Sequence, residues 1–231
     1  MPQISKVKSK VILVISTYNE EKTIENLIKK SRHYCDEILV VSAKNATDRT
    51  REIAKSLGVE VLIDNGKGKG AGMRLAISHV KNGIIVFMDA DGSHIPSDIP
   101  KLVKPIKDGR CEMVVGSRFL GGSEELHGDF DKFLRVFFSM GIALIINWRF
   151  RSSIQDTQNG FRAIKADTAK KLNLKSNIFD IETEMVMKCL KKKYRILEVP
   201  SRELKREFGK SGIKIFPMGF VYAWRVFKNL F

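Results

Sequence analysis

Cysteine is scarce in this chain. Cys35, Cys111 and Cys189 are widely spaced and odd in number. They match no metal-ligand spacing and build no disulfide framework, so the sequence points to a reducing compartment. Long apolar runs are missing as well: nothing approaches the roughly 18 residues of a membrane-spanning helix. No secretory leader, internal repeat or low-complexity linker is visible. Acidic residues are in short supply, with 26 Asp and Glu against 41 Lys and Arg, a formal net charge of +15. That imbalance implies an anionic partner: a phosphate ligand, an acidic lipid surface or nucleic acid. Nucleic acid is set aside, because neither an RNA-reading aromatic motif nor a zinc-finger spacing is present. What the chain does have is 43% apolar residues in 231, enough to bury the core of one domain with a small extension.

The apolar residues are ordered. Val11–Ile15, Glu37–Val41, Val59–Ile63 and Ile84–Met88 read as strands. Between them lie helical patterns: one from near Glu20 through Ile24, Leu27 and Ile28, one opened by Thr47-Asp48 and ended by Gly58, and one through Met73, Leu75, Ala76 and Val80. Strand alternating with helix argues a parallel sheet wound by right-handed crossovers. A further helix opens at Pro96-Ser97-Asp98, and Met113–Val115 is a fifth strand. The alternation then breaks. Gly121–Asp131 is a polar loop and Phe133–Phe150 a helix apolar on nearly all sides. Phe161–Ile164 is a short strand, Phe179–Leu190 a helix and Arg195–Val199 a strand.

The chain is organised around Ile84–Asp91, five apolar residues closing on Asp89-Ala90-Asp91. Carboxylates just past a parallel strand sit where open α/β sheets bind ligands, and two of them at i, i+2 can hold a hard divalent cation. A plain acidic turn is the simpler account of one Asp-x-Asp. Gly68-Lys69-Gly70 is not a Walker A loop, since no Lys-Ser/Thr follows at the required spacing. It reads as a flexible basic loop near phosphates or a turn with a solvated lysine. Residues 188–214 hold ten Lys or Arg against three Glu, which is either an anion-binding loop or a solvated basic face. Phe133–Phe150 and Ile215–Phe231, rich in Phe, Trp and Met between basic residues, are either core helices or helices lying in a membrane interface.

Six motifs stand in order: Ser-Thr-Tyr-Asn-Glu (16–20), Gly-Lys-Gly (68–70), Asp-Ala-Asp (89–91), Gly-Ser-Arg-Phe (116–119), Asp-Thr-Gln-Asn-Gly-Phe-Arg (156–162) and Glu-Val-Pro (198–200) before a basic loop. Together, over roughly residues 10 to 212, the chain resembles inverting family 2 glycosyltransferases, in particular dolichyl-phosphate mannose and glucose synthases. The resemblance implies a GT-A-type α/β fold, mostly parallel sheet with helices on both faces, in a catalytic domain spanning 1–212. Residues 213–231 would then be a C-terminal amphipathic helix at a membrane interface. It implies Mg²⁺ or Mn²⁺ on Asp89, Asp91 and Ser93, and nucleotide-sugar contacts from Thr17, Tyr18, Glu20, Val41, Lys69, Asp89, Ala90 and Arg118. Asp91 and Asp156 would be the catalytic carboxylates. Arg135, Arg162, Arg206 and Lys210 would meet the lipid phosphate or the diphosphate. The implied partners are a nucleotide-diphosphate sugar and a polyprenyl or dolichyl phosphate, at the cytoplasmic face of a membrane.

For several of these residues the sequence supplies a second account. Tyr18 and Glu20 suit an N-cap cluster, and Asp156 a turn; because a lipid phosphate is already anionic, Asp156 would position rather than abstract. Arg162 suits a carboxylate partner, and Glu182 and Glu184 suit either a helix cap or donor hydroxyls. The segment after strand two departs from the family pattern: where relatives commonly carry Asp-Asp-Gly-Ser, this chain has Ser42-Ala43-Lys44-Asn45, with Asp48 looking like a helix cap. The usual proline before Thr17 is Ser16. Donor base is therefore open, and saccharide or protein acceptors, or a silent nucleotide-sugar or anionic-membrane binder, are the alternatives.

Overall fold

The computed structural model describes residues 9–124, 130–206, 208, 226–228 and 230. Residues Val11–Thr17 (β1), Glu37–Ser42 (β2), Glu60–Ile63 (β3) and Ile84–Asp89 (β4) form strands, joined by helices Ile24–Ser31 (α1), Thr50–Ser56 (α2) and Lys69–His79 (α3). After a 3-10 turn at Pro96–Asp98 come Ile99–Lys107 (α4), Met113–Ser117 (β5), a single helical turn Arg118–Gly121 (α5) and the long helix Phe130–Phe150 (α6). Arg162–Lys165 (β6), Ala166–Lys171 (α7), Ile181–Lys191 (α8) and Ile196–Pro200 (β7) complete the described elements.

One seven-stranded sheet runs in the order β3-β2-β1-β4-β6-β5-β7. β1 sits beside both β2 and β4, in parallel, with Ser16 opposite Asp89. Val11–Ile15 and Ile84–Met88 are buried on both faces, as continuous apolar runs in parallel sheets are. Helices cover both sides. One core cluster packs α3, α7 and α8 on Val14, Leu39 and Phe87; the other packs α1 and α4 on Leu13, Ile15 and Val86.

The architecture meets the expectation of a mostly parallel α/β sheet, with three differences. β6 runs antiparallel to both β4 and β5; strand direction depends on the long connection through α6, which no local pattern reports. α1 begins at Ile24 rather than near Glu20, because Glu20 contributes its carbonyl to the turn that starts the helix, accepting from Thr23 and Ile24. α7 was not anticipated: six residues are too few for a helical period to show. α6 is half core and half surface. Ser139, Ala143 and Ile146 are buried, Ile146 in the core cluster that also holds α8, while Phe137, Phe138, Met140, Leu144, Ile145 and Trp148 are exposed, Trp148 to 79%. Among the described residues no helix is long and apolar enough to cross a membrane. The C-terminal helix expected over 213–231, like the expected loop residues 125–129, lies largely outside the described residues.

Candidate functional site

The C-terminal ends of β1 to β4 open on one edge of the sheet, where this topology collects ligand-binding groups. Asp89 is the last residue of β4. Both of its carboxylate oxygens face the Lys69 ammonium, at 2.7 and 2.8 Å, and Lys69 also pairs with Glu182 at 2.7 Å. Burial works against each charge, but their mutual attraction outweighs it: the Asp89 carboxyl is held well below its usual range, with help from His94, and Lys69 well above. Lys69 is therefore neither solvated nor on a flexible loop. It opens α3, and Gly68 and Gly70 fit under the main chain of residues 176–178, where a Cβ would come within 2.6 to 2.7 Å. Gly160 closes the other side, since a Cβ there would lie 2.7 Å from both Asp89 Oδ2 and Lys69 Nζ.

Asp91 has different company. Its Oδ1 accepts from the Ser93 main-chain N–H at 3.0 Å and hydroxyl at 2.6 Å, and its Oδ2 faces Arg206 Nη2 at 2.9 Å. Glu20 lies close enough to feel it. Burial first, and then the Asp91 charge, push the Glu20 carboxyl up to about 7. His94, which sequence reasoning passed over, continues the same turn. It is buried, stacks on Phe161 with centroids 5.0 Å apart, and points Nε2 at Asp89 Oδ2 from 3.8 Å, with Nδ1 unpartnered among the described residues. The only sequence signal was its place directly after Asp-Ala-Asp-Gly-Ser.

Asp156 is fully buried and accepts a two-pronged bond from Arg118, Nε at 2.8 Å and Nη2 at 2.9 Å, as well as the Arg118 main-chain N–H. Burial alone would raise its carboxyl, yet Arg118 holds it below the usual value. An ionised carboxylate so engaged is poorly placed to take a proton. Arg118 Nη1 also lies 3.6 Å from Glu203.

The other expected residues are placed as follows. Thr17 is buried and donates its hydroxyl to the Val41 carbonyl at 3.4 Å; Tyr18 is exposed; the Ala90 N–H bonds the Ser16 carbonyl. Asp48 caps the start of α2, accepting from the Thr50 N–H and hydroxyl. Arg162 has no exposed surface, and its guanidinium donates to the carbonyls of Asn159, Thr157 and Glu182, so it braces the main chain below the site. Glu184 accepts from the Lys175 and Ser176 N–H groups and Glu182 holds Lys69, which gives the two glutamates separate tasks. Lys210 and the Arg135 side chain lie outside the described residues.

Among the described residues no three His, Cys, Asp or Glu converge on one point as a closed metal cage would. Asp91 and Ser93 are hard oxygen donors, and a cation already sits on the outer carboxylate oxygen in the form of Arg206. A Mg²⁺- or Mn²⁺-type ion held by one or two carboxylates and completed by phosphate oxygens and water suits that donor set. Asp89, occupied by Lys69, suits it less.

Comparison with known proteins places the chain in a family. The glycosyl transferase family 2 profile matches residues 12–172. Glycosyltransferase AglJ of Haloferax volcanii is 30% identical over 86% of this chain, which spans 64% of that protein's length. The UDP-N-acetylglucosamine–dolichyl-phosphate N-acetylglucosaminyltransferase of Methanococcus voltae is 28% identical, over 89% of this chain and 93% of the relative. The Mycobacterium tuberculosis glucosyl-3-phosphoglycerate synthase, solved with Mn²⁺, UDP and phosphoglyceric acid, shares the fold at a TM-score of 0.73 and 20% identity, over 97% of this chain and 78% of that one. The chain belongs to glycosyl transferase family 2 and is a glycosyltransferase of the GT-A fold.

Proposed function

We propose that this enzyme moves one sugar, with inversion, from a GDP- or UDP-linked donor to a polyprenyl or dolichyl phosphate, using Mg²⁺ or Mn²⁺ at a membrane surface. The observation that carries the reading is the meeting of Asp91 with Arg206. A carboxylate from the end of β4 and a cation from the basic C-terminal segment share one point at the sheet edge. The M. voltae relative, whose name specifies a nucleotide sugar and dolichyl phosphate, supports the choice of substrates.

A divalent ion on Asp91 beside Ser93 would neutralise the leaving diphosphate as a Lewis acid. Arg206 would then turn from Asp91 toward a phosphate oxygen. The lipid phosphate oxygen attacks the anomeric carbon as the bond to the diphosphate breaks. That nucleophile is already anionic and needs no base, in keeping with an Asp156 spent on Arg118. Asp156 instead fixes Arg118 at the end of β5, and the Lys69–Asp89–Glu182 chain keeps the floor of the site rigid. The exposed apolar face of α6, with Arg149 and Arg151 at its end, supports docking on acidic lipid.

The test is thermal shift with UDP- and GDP-sugars, with and without Mn²⁺ or Mg²⁺, followed by transfer to a short polyprenyl phosphate. One donor should stabilise the protein only with metal. Asp91→Asn should abolish that shift and lower turnover at least about a hundredfold, the scale of losing one electrostatic stabiliser of developing charge. Metal-independent donor binding, or full activity in Asp91→Asn, contradicts the reading.

A further inference from the structure

We infer that Asp64 reads the donor's nucleobase, accepting a ring N–H from uracil or guanine at the outer end of the sheet edge. The inference rests on the nucleotide-sugar reading above. Asp64 directly follows β3 and is 8% exposed. Three strand spacings, roughly 14 Å, separate the ends of β3 and β4. That is about the reach of a nucleoside whose diphosphate lies over Asp91. The opposite direction along the edge is taken by β6 and β5 with the Arg118–Asp156 pair.

Several polar groups along the intervening edge are spent on the protein itself. The Thr17 hydroxyl donates to the Val41 carbonyl. The Ser42 hydroxyl and the carbonyls of Ala43 and Lys44 are held by Arg51. Asn19 Oδ1 accepts from Thr47, and the two oxygens of Asp48 accept from Thr50 and Glu21. Asp64 differs. Its Oδ1 accepts two main-chain N–H groups, Lys44 at 3.0 Å and Gly66 at 2.7 Å, which ties the loops after β2 and β3 together. Its Oδ2 accepts none among the described residues, yet it is not sealed into the interior. Gly72, on the first turns of α3, leaves room beside that oxygen; a Cβ there would be 3.3 Å from it.

A half-satisfied carboxylate in so enclosed a place is costly unless a donor completes it. Uracil offers N3–H, and guanine offers N1–H with its 2-amino group. Cytosine and adenine present a ring lone pair at the corresponding place, which the carboxylate repels.

The test uses isothermal titration of UDP, GDP, CDP and ADP in the presence of Mn²⁺. The wild-type protein should prefer UDP or GDP over CDP and ADP. Asp64→Asn keeps Oδ1 as the acceptor of both main-chain N–H groups and replaces only Oδ2 by an N–H₂. It should weaken the preferred nucleotide about 10- to 100-fold, the worth of one charge-assisted hydrogen bond, and bring CDP level with UDP or ahead of it. Mn²⁺ binding without nucleotide should not change. A second measurement leaves the protein untouched: N3-methyl-UDP, or 1-methyl-GDP if guanine is preferred, should lose a similar factor against wild type. If no nucleotide binds wild type, this inference and the nucleotide-sugar reading fall together. If nucleotides bind in an Asp91-dependent way and both the Asn variant and the methylated base behave as wild type does, the base assignment alone is overturned.

Discussion

At the scale of single residues, the site sets carboxylates against cations at the sheet edge. Asp89 has Lys69, Asp156 has Arg118 and Asp91 has Arg206. The Glu20 carboxyl is pushed up to about 7, first by burial and then by Asp91, with Arg206 pulling the other way. The sign of the consequence is definite. Between the unfolded value of 4.5 and about 7 the folded protein binds more protons at Glu20 than the unfolded chain does, so its contribution to stability falls as pH rises. Above that window the penalty is constant. Melting temperatures of metal-free wild type and Glu20→Gln, taken across it, should diverge, with the Gln variant gaining as pH rises. A constant difference contradicts the assignment.

At the scale of elements, α6 is the one whose sequence and surroundings disagree. It buries Ala143 and Ile146 but leaves Phe137, Phe138, Leu144 and Trp148 exposed. An apolar stripe of that size beside cations is suited to the surface of acidic lipid. Leu144→Ser with Trp148→Ser should lower sedimentation with phosphatidylglycerol vesicles by roughly tenfold or more, given about 1.5–3 kcal/mol for each large side chain buried. Thermal stability in solution should hardly move, because both side chains already face water. Unchanged vesicle binding would leave the net charge alone as the source of attraction, and raised salt would then remove it.

At the scale of the whole molecule, the antiparallel β6 joins two parallel groups of strands, and the segment entering it carries Asp156. The Arg118–Asp156 pair fastens that segment to the end of β5, and Glu198 at β7 accepts from the main-chain N–H groups of Gln155 and Asp156. Removing Asp156 strips Arg118 of its two-pronged partner and leaves it only Glu203, 3.6 Å away. Asp156→Ala should therefore lower unfolding free energy by about 3–5 kcal/mol, measured by urea denaturation. A loss below about 1 kcal/mol, typical of exposed pairs, would show that the pair is not structural.

Much of this was legible in the chain itself. Apolar runs of strand length and helical periods between them determined β1 to β4 and α1 to α3, because each reports a local pattern of burial. The place of Asp91 and Ser93 just past β4 and the capping role of Asp48 followed from neighbours in sequence. The remaining features depend on residues far apart in the chain. The direction of β6 is decided by pairing with two strands at once. Lys69 looks like a loop lysine until Glu182 and Asp89 are seen around it, and Arg162 looks like a phosphate ligand until its carbonyl partners appear. Asp64 carried no motif. Only the closing of the β2 and β3 loops on one of its oxygens sets the other apart. Periodicity records which side of an element is buried; only the folded chain decides which charge meets which.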